Sequence, residues 1–200
     1  MVDLTPALCH NDAAISAKRP AAWGEYRRQG QPMRAYLDIE TTFEQTISVI
    51  GIYRTDAGTV QLVGGGVNDR ALYQALEGVT TLVTFNGASF DLPFIRRRLL
   101  VDLRHDFAHC DLLHICRRRG LRGGLKQVEA MLGIARETTG ISGWDAPRLW
   151  RRYELAGDRV ALATLLAYNR EDVVNLAELD AHLGLTGRAA PCQVVRHIFC

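Results

Sequence analysis

Lysine is nearly missing from this chain. Lys18 and Lys126 are the only two, so 22 of the 24 basic residues are arginine. Arginine presents a rigid planar fork to phosphate oxygens, but a GC-rich coding sequence gives the same bias and explains it better. Charge of one sign is also scarce. The formal net charge is +2 with 23% charged residues, which neither demands nor excludes nucleic acid. No apolar run is long enough to span a bilayer, and Asp3 and Asn11-Asp12 stand where a secretory leader needs an apolar core. The five cysteines, Cys9, Cys110, Cys116, Cys192 and Cys200, are odd in number, scattered and never in CxxC spacing. That excludes a disulfide framework and fits reduced thiols. These absences predict a soluble, cytoplasmic protein. Internal repeats and low-complexity tracts are missing too.

What is present suits one domain with appendages: 200 residues, 48% hydrophobic, enough for a single sizeable core. Residues 1–32 read as an arm, because Pro6, Pro20, Gly24, Gly30 and Pro32 break every run. Trp23 and Tyr26 suit an arm that docks. From Met33 the pattern turns to β, with strands expected over 33–39, 47–53 and 59–63 and a hairpin signal at Asp56-Ala57-Gly58. Asp69 is placed to cap a helix over 70–78. A β-branched run over 80–85 has the character of a buried parallel strand, followed by a helix over 92–100. A short strand at 107–110 and a helix over 112–119 come next. Helical spacing returns at Leu125, Val128, Met131 and Leu132, then from Pro147 to about Leu155, and finally over 159–183 behind Gly157-Asp158. Residues 184–200 read as a tail, apolar around Pro191–Cys200, which suits either contact with a protein partner or the start of a segment that is removed. Three antiparallel strands followed by alternating helix and strand predict a mixed five-stranded α/β sheet with helices on both faces.

The stretch Ala35-Tyr36-Leu37-Asp38-Ile39-Glu40-Thr41-Thr42 alternates apolar and acidic residues. Residues two apart in a strand point the same way, so Asp38 and Glu40 project side by side. In a central strand their repulsion is costly, and a divalent cation between them removes the cost. Taken alone, the stretch is better explained as an edge strand with one wet face and two solvated acids. On the last helix, Tyr168 and Asp172 lie four residues apart, stacked on one face about 6 Å apart. They interrupt the stripe of Leu162, Leu165 and Leu176. Either they form a buried hydrogen-bonded pair or they face a metal.

Other groupings carry less. Gly64-Gly65-Gly66 lacks the Lys-Ser/Thr pair of a phosphate-binding loop and reads as a plain turn. His109, Cys110, His114 and Cys116 crowd together without completing a zinc set; a strand running into a helix capped by Asp111 explains them better. Ser89 lacks a nucleophile elbow. Arg96-Arg97-Arg98 and Arg117-Arg118-Arg119 fan over too wide an arc to make single patches and read as solvated faces.

Asp38-x-Glu40, Asn86-x-x-x-Phe90-Asp91 and Tyr168-x-x-x-Asp172, in that order, resemble the three motifs of the DEDDy 3′–5′ exonucleases of the ribonuclease H-like superfamily. Leu37 to Thr42, and Phe85-Asn86-Gly87 through Phe90-Asp91-Leu92-Pro93-Phe94, are similar to the YprB-type predicted exonuclease domain. The resemblance covers residues 33–183. It implies a ribonuclease H-like fold and a metal-dependent nuclease acting on single-stranded DNA or RNA ends. It makes Asp38, Glu40, Asp91 and Asp172 ligands of two divalent cations, Mg²⁺ or Mn²⁺. Tyr168 would orient the attacking water and help deprotonate it. Asn86 and Phe90 would meet the terminal nucleotide, an unpaired base stacking on the Phe90 ring, though core packing explains Phe90 equally well. The Thr41 N–H would meet the substrate terminus, and Asp111 would support the site from behind. Lys126, at a helix start after a glycine loop, suits a phosphate contact. A catalytically silent nucleic-acid-binding module and a structure-specific endonuclease on the same fold remain open.

Overall fold

The computed structural model describes residues 33–186. The expected arm over 1–32 and the tail beyond 186 lie outside the described residues, with Cys9, Cys192 and Cys200. Five strands form one sheet in the order β3-β2-β1-β4-β5. They are β1 (Arg34–Thr41), β2 (Ile47–Arg54), β3 (Gly58–Val63), β4 (Thr81–Thr84) and β5 (Ala108–Asp111). β1 pairs antiparallel with β2, and β2 with β3, while β1, β4 and β5 run parallel. The mixed sheet expected from the strand pattern is therefore present, and β1 is its centre.

That position overturns the wet-faced edge strand. The period of two still operates, but both faces of β1 are covered. Ala35, Leu37 and Ile39 face one core with Leu72 of α1 (Asp69–Ala75) and Leu76 just past its end, Leu92, Phe94 and Ile95 of α2 (Asp91–Leu99), and Leu103 of α3 (Leu103–Asp106). Tyr36 on the opposite face packs with Val83, Leu112 and Ile115 of α4 (Leu112–Arg118), Val128 of α5 (Leu125–Leu132), and Leu176 and Leu179 of α7 (Arg159–His182). A third cluster joins Val49 to Trp150 of α6 (Ala146–Ala156) and Leu165 of α7. Asp38 and Glu40 have the parity of Tyr36. They lie on the α7 side.

Local differences have local causes. Asn68, not Asp69, caps α1, its side chain accepting the N–H of Ala71 at 2.9 Å. α3 was not expected; Asp102 starts it by accepting from Arg104 N. Gly64–Gly66 forms a turn, as expected, of 3₁₀ type. α2 begins at Asp91, one residue before the expected start, so that acid stands on a helix N-terminus. α7 begins as expected, with Asp158 accepting from Ala161 N at 2.9 Å.

Candidate metal centre

β1 supplies two carboxylates and α7 a third. Side-chain oxygens of Asp38, Glu40 and Asp172 all lie within 4.8 Å of one another. Among the described residues, this is the one such gathering of three or more His, Cys, Asp or Glu ligand atoms. The His109–Cys116 grouping forms no such cluster. Its Asp111 instead caps α4 through Leu113 N, as expected.

α7 reaches the sheet closely at Asn169 because β2 presents no side chain there, at Gly51. Gly51 pairs with Asp38 in the ladder, and a Cβ there would meet Asn169 Oδ1 at 2.2 Å. Fully buried Asn169 donates through Nδ2 to Asp38 Oδ2 at 3.1 Å and accepts through Oδ1 from Gln61 Nε2 of β3 at 2.9 Å. Asn169, Gly51 and Gln61 were all passed over in the sequence. The available signal was Asn169 beside Tyr168, a second amide-or-acid residue on the stripe that faces the core.

Asp91 approaches from the other side. The ladder from β1 to β4 covers only Arg34–Tyr36, so β1 runs on beyond it, and Asp91 Oδ1 accepts the Ile39 N–H at 3.1 Å. Asp91 thus sits against β1, next to the triad but outside its 4.8 Å set. Asp111 shapes the approach: its carboxylate accepts Asn86 N at 2.8 Å and Ala88 N at 3.0 Å, fixing the loop into α2. Asn86 takes a left-handed φ of 66° there. Asn86 and Phe90 are exposed on the rim, and half-buried Thr41 follows a bulge after Glu40.

The electrostatics are those of crowded, desolvated acids. Burial, then Asp91, Glu40 and Asp172, pushes the Asp38 carboxyl well above its ordinary range. Burial, then Asp172 and Asp91, does the same to Glu40, and burial lifts Asp91 to about 7. Asp172 is raised by burial and pulled back by Arg136. Crowded acids of this kind call for a cation. An all-carboxylate donor set fits a hard divalent ion such as Mg²⁺ or Mn²⁺.

Tyr168 lies one turn before Asp172, with Lys126 Nζ 4.5 Å from its ring centroid and the Arg136 guanidinium 5.6 Å away. Lys126 also donates to Ile141 O. Burial first, then Asp172, Glu40 and Asp38, drives the Tyr168 phenol far above its usual range, so at neutral pH it is an O–H donor.

Arg136 is the charged residue that sequence reading missed. It donates to both oxygens of Glu129, at 2.9 and 2.7 Å, and to Asp172 Oδ1. Glu129 is fully buried and also accepts from Asn175 Nδ2 at 3.1 Å. Nothing in the local pattern singles Arg136 out of 22 arginines; its partners lie on two different helices.

Over 172 residues the chain is 33% identical to the uncharacterized protein YprB of Bacillus subtilis, covering 74% of this chain and 41% of that protein. The chain thus spans less than half the length of this relative. The family B DNA polymerase of the hyperthermophilic archaeon Pyrobaculum calidifontis shares the fold, with a TM-score of 0.56 and 16% identity over 78% of this chain and 26% of the polymerase. Residues 35–184 match the RNase H superfamily. They take in all of the sheet but its first residue, Arg34, and all three acids of the triad: the chain belongs to the RNase H superfamily.

Proposed function

We propose that this chain is a metal-dependent 3′–5′ exonuclease that hydrolyses phosphodiester bonds at single-stranded DNA or RNA ends. The observation that carries the reading is the convergence of Asp38, Glu40 and Asp172 within 4.8 Å, under a helix that places Tyr168 one turn away. Asp38, Glu40 and Asp172 would hold one divalent cation, and Asp91 would help hold a second. Bound there, two such cations supply positive charge to both the entering and the departing oxygen of an in-line displacement. Tyr168 donates its O–H to the attacking water and orients it. Asn169 keeps Asp38 turned toward the centre, and Arg136 does the same for Asp172. Asn86, Phe90 and the Thr41 N–H bind the terminal nucleotide, and Lys126 contacts a phosphate.

The test is a 5′-labelled single strand, DNA and RNA in parallel, with Mg²⁺ or Mn²⁺. A ladder shortening one nucleotide at a time and releasing nucleoside 5′-monophosphates is expected. Internal cuts would instead make it an endonuclease. Binding without turnover, unaffected by chelation, would make it a silent nucleic-acid-binding module.

A further inference from the structure

α2 leaves the candidate centre carrying an ordered stripe. Asp91 is its first residue, and Phe90 immediately before is 46% exposed. Phe90 and Phe94 are ring neighbours with centroids 5.6 Å apart. One turn further, Arg97 and Arg98 both turn toward Phe94, their guanidinium carbons 4.7 and 5.8 Å from its centroid. Positions 90, 94, 97 and 98 follow the i, i+4, i+7, i+8 spacing of one helix face. The arginine run therefore does not simply fan out. Arg96 leaves the stripe and pairs with Asp102 at 3.2 Å, whereas Arg97 and Arg98 gather over one aromatic ring.

An exposed aromatic at the site and two exposed cations beyond it match the chemistry of a single strand, whose bases stack and whose phosphates carry charge. Along the axis, seven to eight residues span about 11 Å, roughly three nucleotides at the stacked spacing of 3.4 Å. The ring of Phe94 does more than fill the core. It holds both guanidinium groups from below and limits the freedom they lose on binding.

We infer that α2 is the track for the strand upstream of the cut, with Arg97 and Arg98 contacting the phosphates two to three nucleotides before the 3′ end that Phe90 stacks. This deepens the exonuclease reading and rests on it. The partner is a single-stranded polynucleotide with its 3′ end at the acids and its 5′ portion leading toward the C-terminal end of α2.

The experiment measures binding of fluorescein-labelled oligothymidine and oligouridine, with phosphorothioate 3′ linkages that resist cutting, in Mg²⁺ across a salt series. Unmodified strands are run beside them for shortening. Arg97→Gln with Arg98→Gln should weaken binding and flatten the slope of log affinity against log salt by about 1.4, at about 0.7 per phosphate for single strands. Arg97→Lys with Arg98→Lys should keep the slope. Phe90→Ala should weaken binding about tenfold without changing the slope. Arg96→Gln, which removes a charge from the same helix outside the stripe, should leave both unchanged. If the wild type shortens strands while the double Gln variant keeps wild-type affinity and slope, α2 is not the track and the exonuclease reading stands. If the wild type neither binds nor shortens either strand, that reading falls and the track falls with it.

Discussion

Asp172 faces two carboxylates on one side and the half-buried Arg136 guanidinium on the other. Arg136 lowers the cost of desolvating it and fixes one oxygen, while Glu129 holds Arg136 in turn. Removing Arg136 takes the cation from Glu129, which is fully buried and keeps only the Asn175 amide named above. Arg136→Gln should therefore destabilise the fold by about 3–5 kcal/mol, the range for breaking a buried ion pair from one side, read by urea denaturation. Unchanged stability would mean that Glu129 finds water instead. On the exonuclease reading, Tyr168 offers a test that separates chemistry from binding. Tyr168→Phe keeps the ring beside Lys126 and Arg136 and removes only the donor. It should lower kcat about a hundredfold and leave Mn²⁺ affinity, measured by calorimetry, unchanged. A loss of Mn²⁺ affinity equal to the loss of rate would give the hydroxyl a structural role.

The elements explain what was legible and what was not. Period-two alternation put Asp38 and Glu40 on one strand face, and period-3.6 spacing put Tyr168 and Asp172 on one helix face; both are local and both hold in the structure. Which strand is central depends on pairing between distant segments, so the alternation of β1 also suited an edge. Asp91 falls one residue before the expected helix because nothing local separates a loop from the first turn of α2. Asn169, Gly51 and Gln61 are linked only when α7 crosses β2 and β3. That crossing has its own test. Gly51→Ala would put a methyl 2.2 Å from Asn169 Oδ1, in a layer where Asn169 is fully buried. A destabilisation of about 1–3 kcal/mol is expected, as for overpacked cores, with Asp38 losing its Nδ2 contact and strand shortening falling with it. Wild-type stability and rate would show that α7 can lift without consequence.

At the scale of the whole molecule, the crowded acids link metal binding to stability. Asp91 titrates near 7 in the folded protein against an ordinary 3.8, raised chiefly by burial. Between those values the folded state holds more protons than the unfolded one, so stability falls as pH rises through the folded value. Asp38, Glu40 and Asp172 are raised in the same direction and add to the fall. The melting temperature in chelator should thus drop from pH 5 to pH 8. Mn²⁺ should raise it more at pH 8, where the carboxylates are ionised, than at pH 5. A flat metal-free profile would remove the electrostatic account. The fold places no helix long and apolar enough to cross a membrane among the described residues; its distinctive expenditure is the acid cluster at the centre of the sheet. The most direct measurement of that cluster follows Mn²⁺ binding by calorimetry and strand shortening on gels in the same preparations of wild type, Asp38→Asn and Asp172→Asn. Loss of tight Mn²⁺ binding together with loss of metal-dependent shortening in both variants is the predicted result. Shortening by either variant at the wild-type rate would contradict it.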